Sequence, residues 1–158
     1  MKIALTGHKK ERLRGNEDVV EKWLHSVLNF LFMEQEEQIM ICGGADGADE
    51  IFGSLIWWFP TAKLHLCVPV KGYREKKMHP YIKKMKAEEH VMAEEWRPDL
   101  DAIRNRYMVN NCDILIAVWD GVEKGRVWEA IQYARAIGKP IIYFPQDMLF
   151  IKEVSDNV

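Results

Sequence analysis

The stretch Asp113-Ile114-Leu115-Ile116-Ala117-Val118-Trp119-Asp120-Gly121 decides the fold. From Ile114 to Val118 every residue is apolar, with no alternation. A strand that is apolar on both faces belongs in the middle of a parallel sheet covered by helices. Four similar short runs lie around it: Lys2 to Thr6, Gln38 to Cys42, Lys63 to Val68 and Pro140 to Phe144. Together with Asp113 to Trp119 they make five candidate strands, separated by stretches of helical period, and this alternation builds an α/β sheet. The expected fold is therefore one doubly wound Rossmann-like domain spanning residues 1–158, with about five mainly parallel strands and helices on both faces.

The intervening segments read as helices. Val19, Val20, Trp23, Leu24, Val27, Leu28 and Leu31 recur at helical spacing behind Asn16, a residue type suited to an N-cap, with acids in the first turn. Further helices are expected from Asp46 to Phe59, from near Pro80, from Leu100 to Asn110 and from Arg126 to Ile137, the last stopped by Gly138-Lys139-Pro140. No repeat, low-complexity segment or linker interrupts the chain, and the tail from Gln146 to Val158 carries weak signals.

Composition narrows the function classes. The 158 residues are 48% hydrophobic and 29% charged with a net charge of -2, an ordinary globular mixture without the basic excess of a protein that coats nucleic acid. No apolar run has the roughly 20 residues of a membrane span, and no signal-peptide core follows Lys2, so a cytosolic protein without membrane contact is expected. Cys42, Cys67 and Cys112 are odd in number and far apart, and read as reduced packing thiols.

In a doubly wound sheet the loops that leave the carboxyl ends of the strands converge where the strand order reverses, and ligands bind there. Here these loops are Thr6-Gly7-His8-Lys9-Lys10-Glu11-Arg12, Gly43-Gly44-Ala45-Asp46-Gly47-Ala48-Asp49, Lys71-Gly72-Tyr73-Arg74 and Asp120-Gly121-Val122-Glu123-Lys124-Gly125-Arg126. Gly43 and Gly44, placed between a strand and a helix, let the backbone approach a ligand and turn N–H groups toward an anion; a plain tight turn uses the same pair. The three other glycine-bearing loops on the same edge favour the anion. Lys9, Lys10, Arg12, Lys71, Arg74, Lys124 and Arg126 add positive charge, and the arginines Arg12, Arg74, Arg104 and Arg126 are the stronger candidates because a guanidinium grips phosphate bidentately. Neither a Walker loop nor a Gly-x-Gly-x-x-Gly fingerprint is present.

His8, His25, His65, His79 and His90 lack metal-ligand spacing, so no metal site is assigned and no cofactor is expected. His8 falls in the expected pocket, where it can stack on or hydrogen-bond a base; Tyr73, Trp96 and Trp119 are further stacking candidates. Trp57 and Trp58 are adjacent and cannot share one helix face, which leaves one of them for another subunit.

The segments Thr6-Gly7-His8, Cys42 to Asp49, Arg104-Asn105-Arg106-Tyr107-Met108-Val109, Asp113 to Gly121 and Gly138-Lys139-Pro140 resemble the SMF/DprA-LOG (SLOG) superfamily, particularly its small YpsA-like branch, over roughly residues 1–145. The resemblance implies a Rossmann-like fold, a nucleotide or ADP-ribose-like ligand and a homodimer or higher oligomer. It further implies that Arg104 falls on the arginine of the LOG enzymes, and that Gly125 and Glu129 fall on the last glycine and the glutamate of their glycine-rich motif. Asn105 replaces the lysine of that pattern, Lys124 interrupts the glycines, and Arg126 takes the threonine position. The expected ligand-binding set is thus Thr6, Gly7, His8, Arg12, Gly43, Gly44, Ala45, Asp46, Asp49, Arg74, Asp120, Gly121, Gly125 and Arg126. Two functions are expected to compete. One is a sensor or sequestering protein for a nucleotide-derived signal, of the kind a virus would direct against a host defence messenger. The other is an N-glycosidase or phosphoribohydrolase in which Glu129 stabilises charge on the ribose and Arg104 holds phosphate.

Overall fold

A computed structural model of the chain describes residues 1–74 and 87–150. Within them six strands form one sheet: β1 (Lys2–Gly7), β2 (Ile39–Cys42), β3 (Lys63–Val68), β4 (Glu88–Val91), β5 (Ile114–Val118) and β6 (Ile141–Tyr143). The sheet order is β4-β3-β2-β1-β5-β6, and every neighbouring pair is parallel. The apolar run at Ile114–Val118 lies beside β1 with Ala4 opposite Leu115, in the interior of the sheet as its sequence demands.

The sixth strand was not among the five expected. Glu88-Glu89-His90-Val91 carries no apolar run because it forms an edge, paired among the described residues with β3 alone, and leaves Glu88, Glu89 and Val91 exposed.

Helix α2 (Glu17–Phe32) packs Val20, Leu24 and Leu28 on one face of the sheet, where α3 (Ala48–Ser54) adds Phe52 and the strands present Ile3, Leu5, Met40 and Ile116. On the other face lie α4 (Leu100–Asn110) and α5 (Arg126–Ala136), whose Met108, Val109 and Ala134 meet Ala4, Ile41 and Leu115. Ile3 and Leu5 thus serve one layer and Ala4 the other, the period-two division of a strand buried on both sides.

Several local expectations shift. The helix expected from Asp46 to Phe59 is shorter, and tightens into a 3-10 turn at Leu55–Trp58 that leaves both Trp57 and Trp58 exposed. The four-residue α1 (Lys10–Leu13) was not foreseen, and the helix expected from near Pro80 lies outside the described residues. Asn16 does precede α2, but its side chain caps nothing. Buried completely, its Nδ2 donates to the carbonyls of Leu13 and, at 2.9 Å, Leu149. That bond fastens a second 3-10 turn, Gln146–Phe150, whose Leu149 is wholly buried and whose Phe150 ring lies 4.1 Å beneath the Arg14 guanidinium. Cys42, Cys67 and Cys112 are free and buried; burial pushes the Cys67 thiol up to about 12 and that of Cys112 to about 11, which suits packing and not nucleophilic chemistry. No helix among the described residues is long and apolar enough to cross a membrane.

Candidate functional site

Connections from β1 run outward through β2, β3 and β4 on one side, while β5 and β6 lie on the other, so the strand order reverses between β1 and β5. At their carboxyl ends a cavity of about 410 Å³ opens. Its floor is the end of β1, Thr6 and Gly7. A methyl group on Gly7 would lie 2.5 Å from the Ala48 side chain, so the absence of a side chain lets α3 close on β1.

The turn after β1 contributes His8 and Lys9 to the walls, and α1 contributes Glu11 and Arg12. Arg12 spans to the loop after β5, where its Nη2 donates to Asp120 Oδ2 at 2.7 Å and Oδ1 at 2.8 Å. His8 is buried beside them, with Nε2 at 3.1 Å from both the Asp120 backbone nitrogen and Oδ1. Burial lowers the His8 pKa against the pull of Asp120, which keeps the ring uncharged at neutral pH. Burial alone would raise the Asp120 carboxyl, but the Val122 N–H, the Arg12 guanidinium and His8 together hold it below its ordinary range.

The opposite wall is built around Arg104, a cation from α4 that is only 8% exposed. Its Nη1 donates to the Gly43 carbonyl at 3.0 Å, its Nε donates to Asn105 Oδ1 at 2.9 Å, and Asp101 Oδ1 lies 3.7 Å from Nη2. Gly43 is required there: a methyl group would lie 2.7 Å from Arg104 Nη1 and 3.1 Å from Asp49 Oδ2. Asp49 accepts the Ala45 N–H at 3.1 Å, and burial raises its pKa to about 6 despite the nearby Arg104 and Arg74 guanidinia.

The structure brings Thr6, Gly7, His8, Arg12, Ala45, Asp49, Arg104 and Arg126 onto one cavity lining, with Tyr73 at its side. Others of the expected set act behind it. Gly43 supports Arg104; Gly44 offers its carbonyl to Arg74 Nη1 at 2.6 Å, and Arg74 Nη2 also holds Glu50. Asp46 receives the Lys10 N–H at 3.4 Å, Asp120 anchors Arg12, Gly125 caps α5, and Gly121 packs against Gln146. Glu129 is placed elsewhere. It pairs with Arg126 at 3.0 Å and faces a second hollow of about 390 Å³ between α4 and α5, beside Arg106 and Tyr133. Trp119 is likewise absent from the cavity lining, and stacks on Trp128 with centroids 5.3 Å apart; Trp96 is exposed.

The expected set included Asp46, Asp49 and Asp120 but left out two acids that reach the cavity. Glu11 and Asp101 line the same cavity, as do Asn105, Met108 and Val127, so the wall is mixed in charge with Lys9, Arg12, Arg104 and Arg126 as its basic members. A signal for the amide and the acid existed: Asp101 and Asn105 flank Arg104 on α4 at the spacing that shares a helix face.

The open parallel sheet with a cleft at its reversal point defines a Rossmann-like α/β protein. No family model matches the chain, and no curated protein matches it. Among solved structures it is similar to the X-ray structure of TM1055, a Northeast Structural Genomics Consortium target, with a TM-score of 0.56 and 13% identity over 89% of this chain and 71% of that one. At that identity the likeness concerns the α/β fold alone.

Proposed function

We propose that the cavity between the ends of β1 and β5 binds a phosphorylated nucleotide or an ADP-ribose-like derivative, and that the protein senses or sequesters this ligand as a member of the SLOG superfamily. The observation that carries the reading is the convergence of three distant segments, Thr6–Arg12, Gly43–Asp49 and Arg104, on one cavity whose volume lies in the range of small-molecule sites. The amino terminus of α5 adds to it. Arg126 and Val127, in the first turn of that helix, line the cavity, so the positive end of the helix dipole faces an incoming phosphate. Tyr73 offers a face on which a base can stack.

The competing reading, N-glycosidic cleavage by Glu129 and Arg104, requires both groups at one reacting centre. Glu129 is engaged by Arg126 and faces the other hollow, an arrangement that favours binding without turnover. A homodimer belongs to the same proposal. Phe30, Met33, Trp57 and Trp58 are all more than half exposed, side chains suited to burial against a second copy, and light scattering should return twice the 18.5 kDa chain mass.

Thermal unfolding against AMP, NAD, ADP-ribose and cyclic ADP-ribose analogues tests the reading. A ligand present at a hundred times its dissociation constant adds about 2.7 kcal/mol of stability. A clear shift with one member supports the proposal, and no shift with any of them counts against it.

A further inference from the structure

We propose that His65, Glu88 and His90 form a binding site for a divalent transition-metal ion of the zinc class, at the β3–β4 edge of the sheet and separate from the nucleotide cavity. The register creates it. In the parallel pairing His65 lies opposite Glu88 and Cys67 opposite His90, so all three side chains leave the same face, the one covered by α4. Sequence spacing concealed the cluster because its members come from two strands whose adjacency only the fold supplies, and because β4 does not read as a strand.

The geometry is that of a ligand set. His65 Nε2 lies 3.2 Å from Glu88 Oε2, and His90 Nε2 lies 3.2 Å from Glu88 Oε1. One donor atom from each residue falls within 4.8 Å of the others. Ligand atoms bound 2.0–2.1 Å from a tetrahedral zinc ion are separated by about 3.3 Å, close to both His–Glu88 distances, which reach the two separate oxygens of the carboxylate. Two imidazoles and one carboxylate also match the donor preference of zinc, and leave a fourth position for water.

Two independent features point to an ion at this place. His90 Nε2 is shielded from solvent and makes no hydrogen bond, although Glu88 Oε1 lies only 3.2 Å away. Its other nitrogen, Nδ1, lies 3.0 Å from the Tyr107 hydroxyl of α4. If Nδ1–H donates to that hydroxyl, Nε2 carries a free lone pair, the protonation state that a metal-binding histidine needs. Tyr107 is thus a positioning residue, and an ion here would tie the edge strand β4 to β3 beneath α4.

Chelator-treated protein titrated with Co²⁺ reads the site through the visible absorption of tetrahedral cobalt, and Zn²⁺ competition against a chromophoric chelator gives the affinity. The expected result is one equivalent bound by the wild-type chain, loss of the cobalt bands in His65→Ala and His90→Ala, and an affinity about tenfold weaker in Tyr107→Phe. Metal-free unfolding curves show which variants fold. Should either histidine variant fail to fold, Glu88→Gln at the exposed carboxylate decides, with at least a tenfold loss expected. Absence of binding by the wild type overturns the proposal, and so does unchanged affinity in the folded variants, which would put the ion on other histidines. ADP-ribose binding does not enter these readouts, so this test and that of the nucleotide cavity fail independently.

Discussion

Arg12 and Asp120, 108 residues apart in sequence, meet in a bidentate ion pair with Nε–Oδ2 at 3.0 Å and Nη2–Oδ1 at 2.8 Å. The pair joins α1, which follows β1, to the loop after β5 across the reversal point of the sheet, and so fixes the mouth of the cavity. Asp120 is nearly buried while Arg12 remains 40% exposed, so solvent screens one partner and the pair is worth less than a fully buried one.

Asp120→Asn should destabilise the protein by about 2 kcal/mol at neutral pH, the scale of a hydrogen bond to a charged group. Because the folded carboxyl titrates below its ordinary value, its contribution is complete above about pH 4 and is lost as the pH falls through the lowered value. Urea unfolding of both proteins at several pH values checks this. The gap between them should persist from about pH 5 to neutrality and close in stronger acid.

Asp49 has the opposite sign. Its folded pKa of about 6 lies above the unfolded value, so the stability tied to its protonated form is present below about pH 4 and is lost as the pH rises through 6. Asp49→Asn should therefore gain on the wild type between about pH 4 and neutrality, by on the order of 3 kcal/mol. Parallel pH–stability profiles for the two proteins would refute this. The same carboxylate should oppose an anionic ligand once ionised. ADP-ribose, whose diphosphate does not titrate near pH 6, should bind the wild type more tightly below that value and bind Asp49→Asn without the dependence.

Gly43→Ala should cost about 1–3 kcal/mol, since the new methyl group would force Arg104 or Asp49 from its position. Displacement of Arg104 should weaken ligand binding at least tenfold. Unfolding and calorimetric titration on the same sample separate the two effects.

Arg126→Ala should weaken binding about tenfold through loss of a half-exposed cation at the cavity wall, while Glu129→Ala, which frees Arg126, should leave affinity equal or slightly higher. Base release measured by chromatography should be absent from the wild type and from both variants. Turnover that vanished in Glu129→Ala would reinstate the glycosidase.

What was legible in the sequence divides along physical lines. Ile114–Val118 and the Gly43-Gly44 turn carry their meaning locally, in hydrophobic period and in the conformational freedom of glycine, and they located both the sheet and the edge on which the cavity opens. Glu88–Val91 had no such signal, because an edge strand is stabilised by its neighbour and not by burial of its own side chains. Arg12–Asp120 and Asn16–Leu149 pair across more than a hundred residues, and no local pattern encodes a partner at that distance. Glu129 has the residue type and helical position of an active-site acid. Its i,i+3 spacing from Arg126 on the expected helix allowed the ion pair to be read, but only the fold shows that it faces a different hollow.

Amide chemical-shift mapping by two-dimensional NMR, with ADP-ribose added to nitrogen-labelled protein, tests the nucleotide cavity most directly. The expected result is a saturable set of shifts confined to Thr6–Arg12, Gly43–Asp49, the first turn of α5 and the residues around Arg104. No change at millimolar ligand, or shifts gathered on the β6 edge and the exposed face of α2, would contradict it.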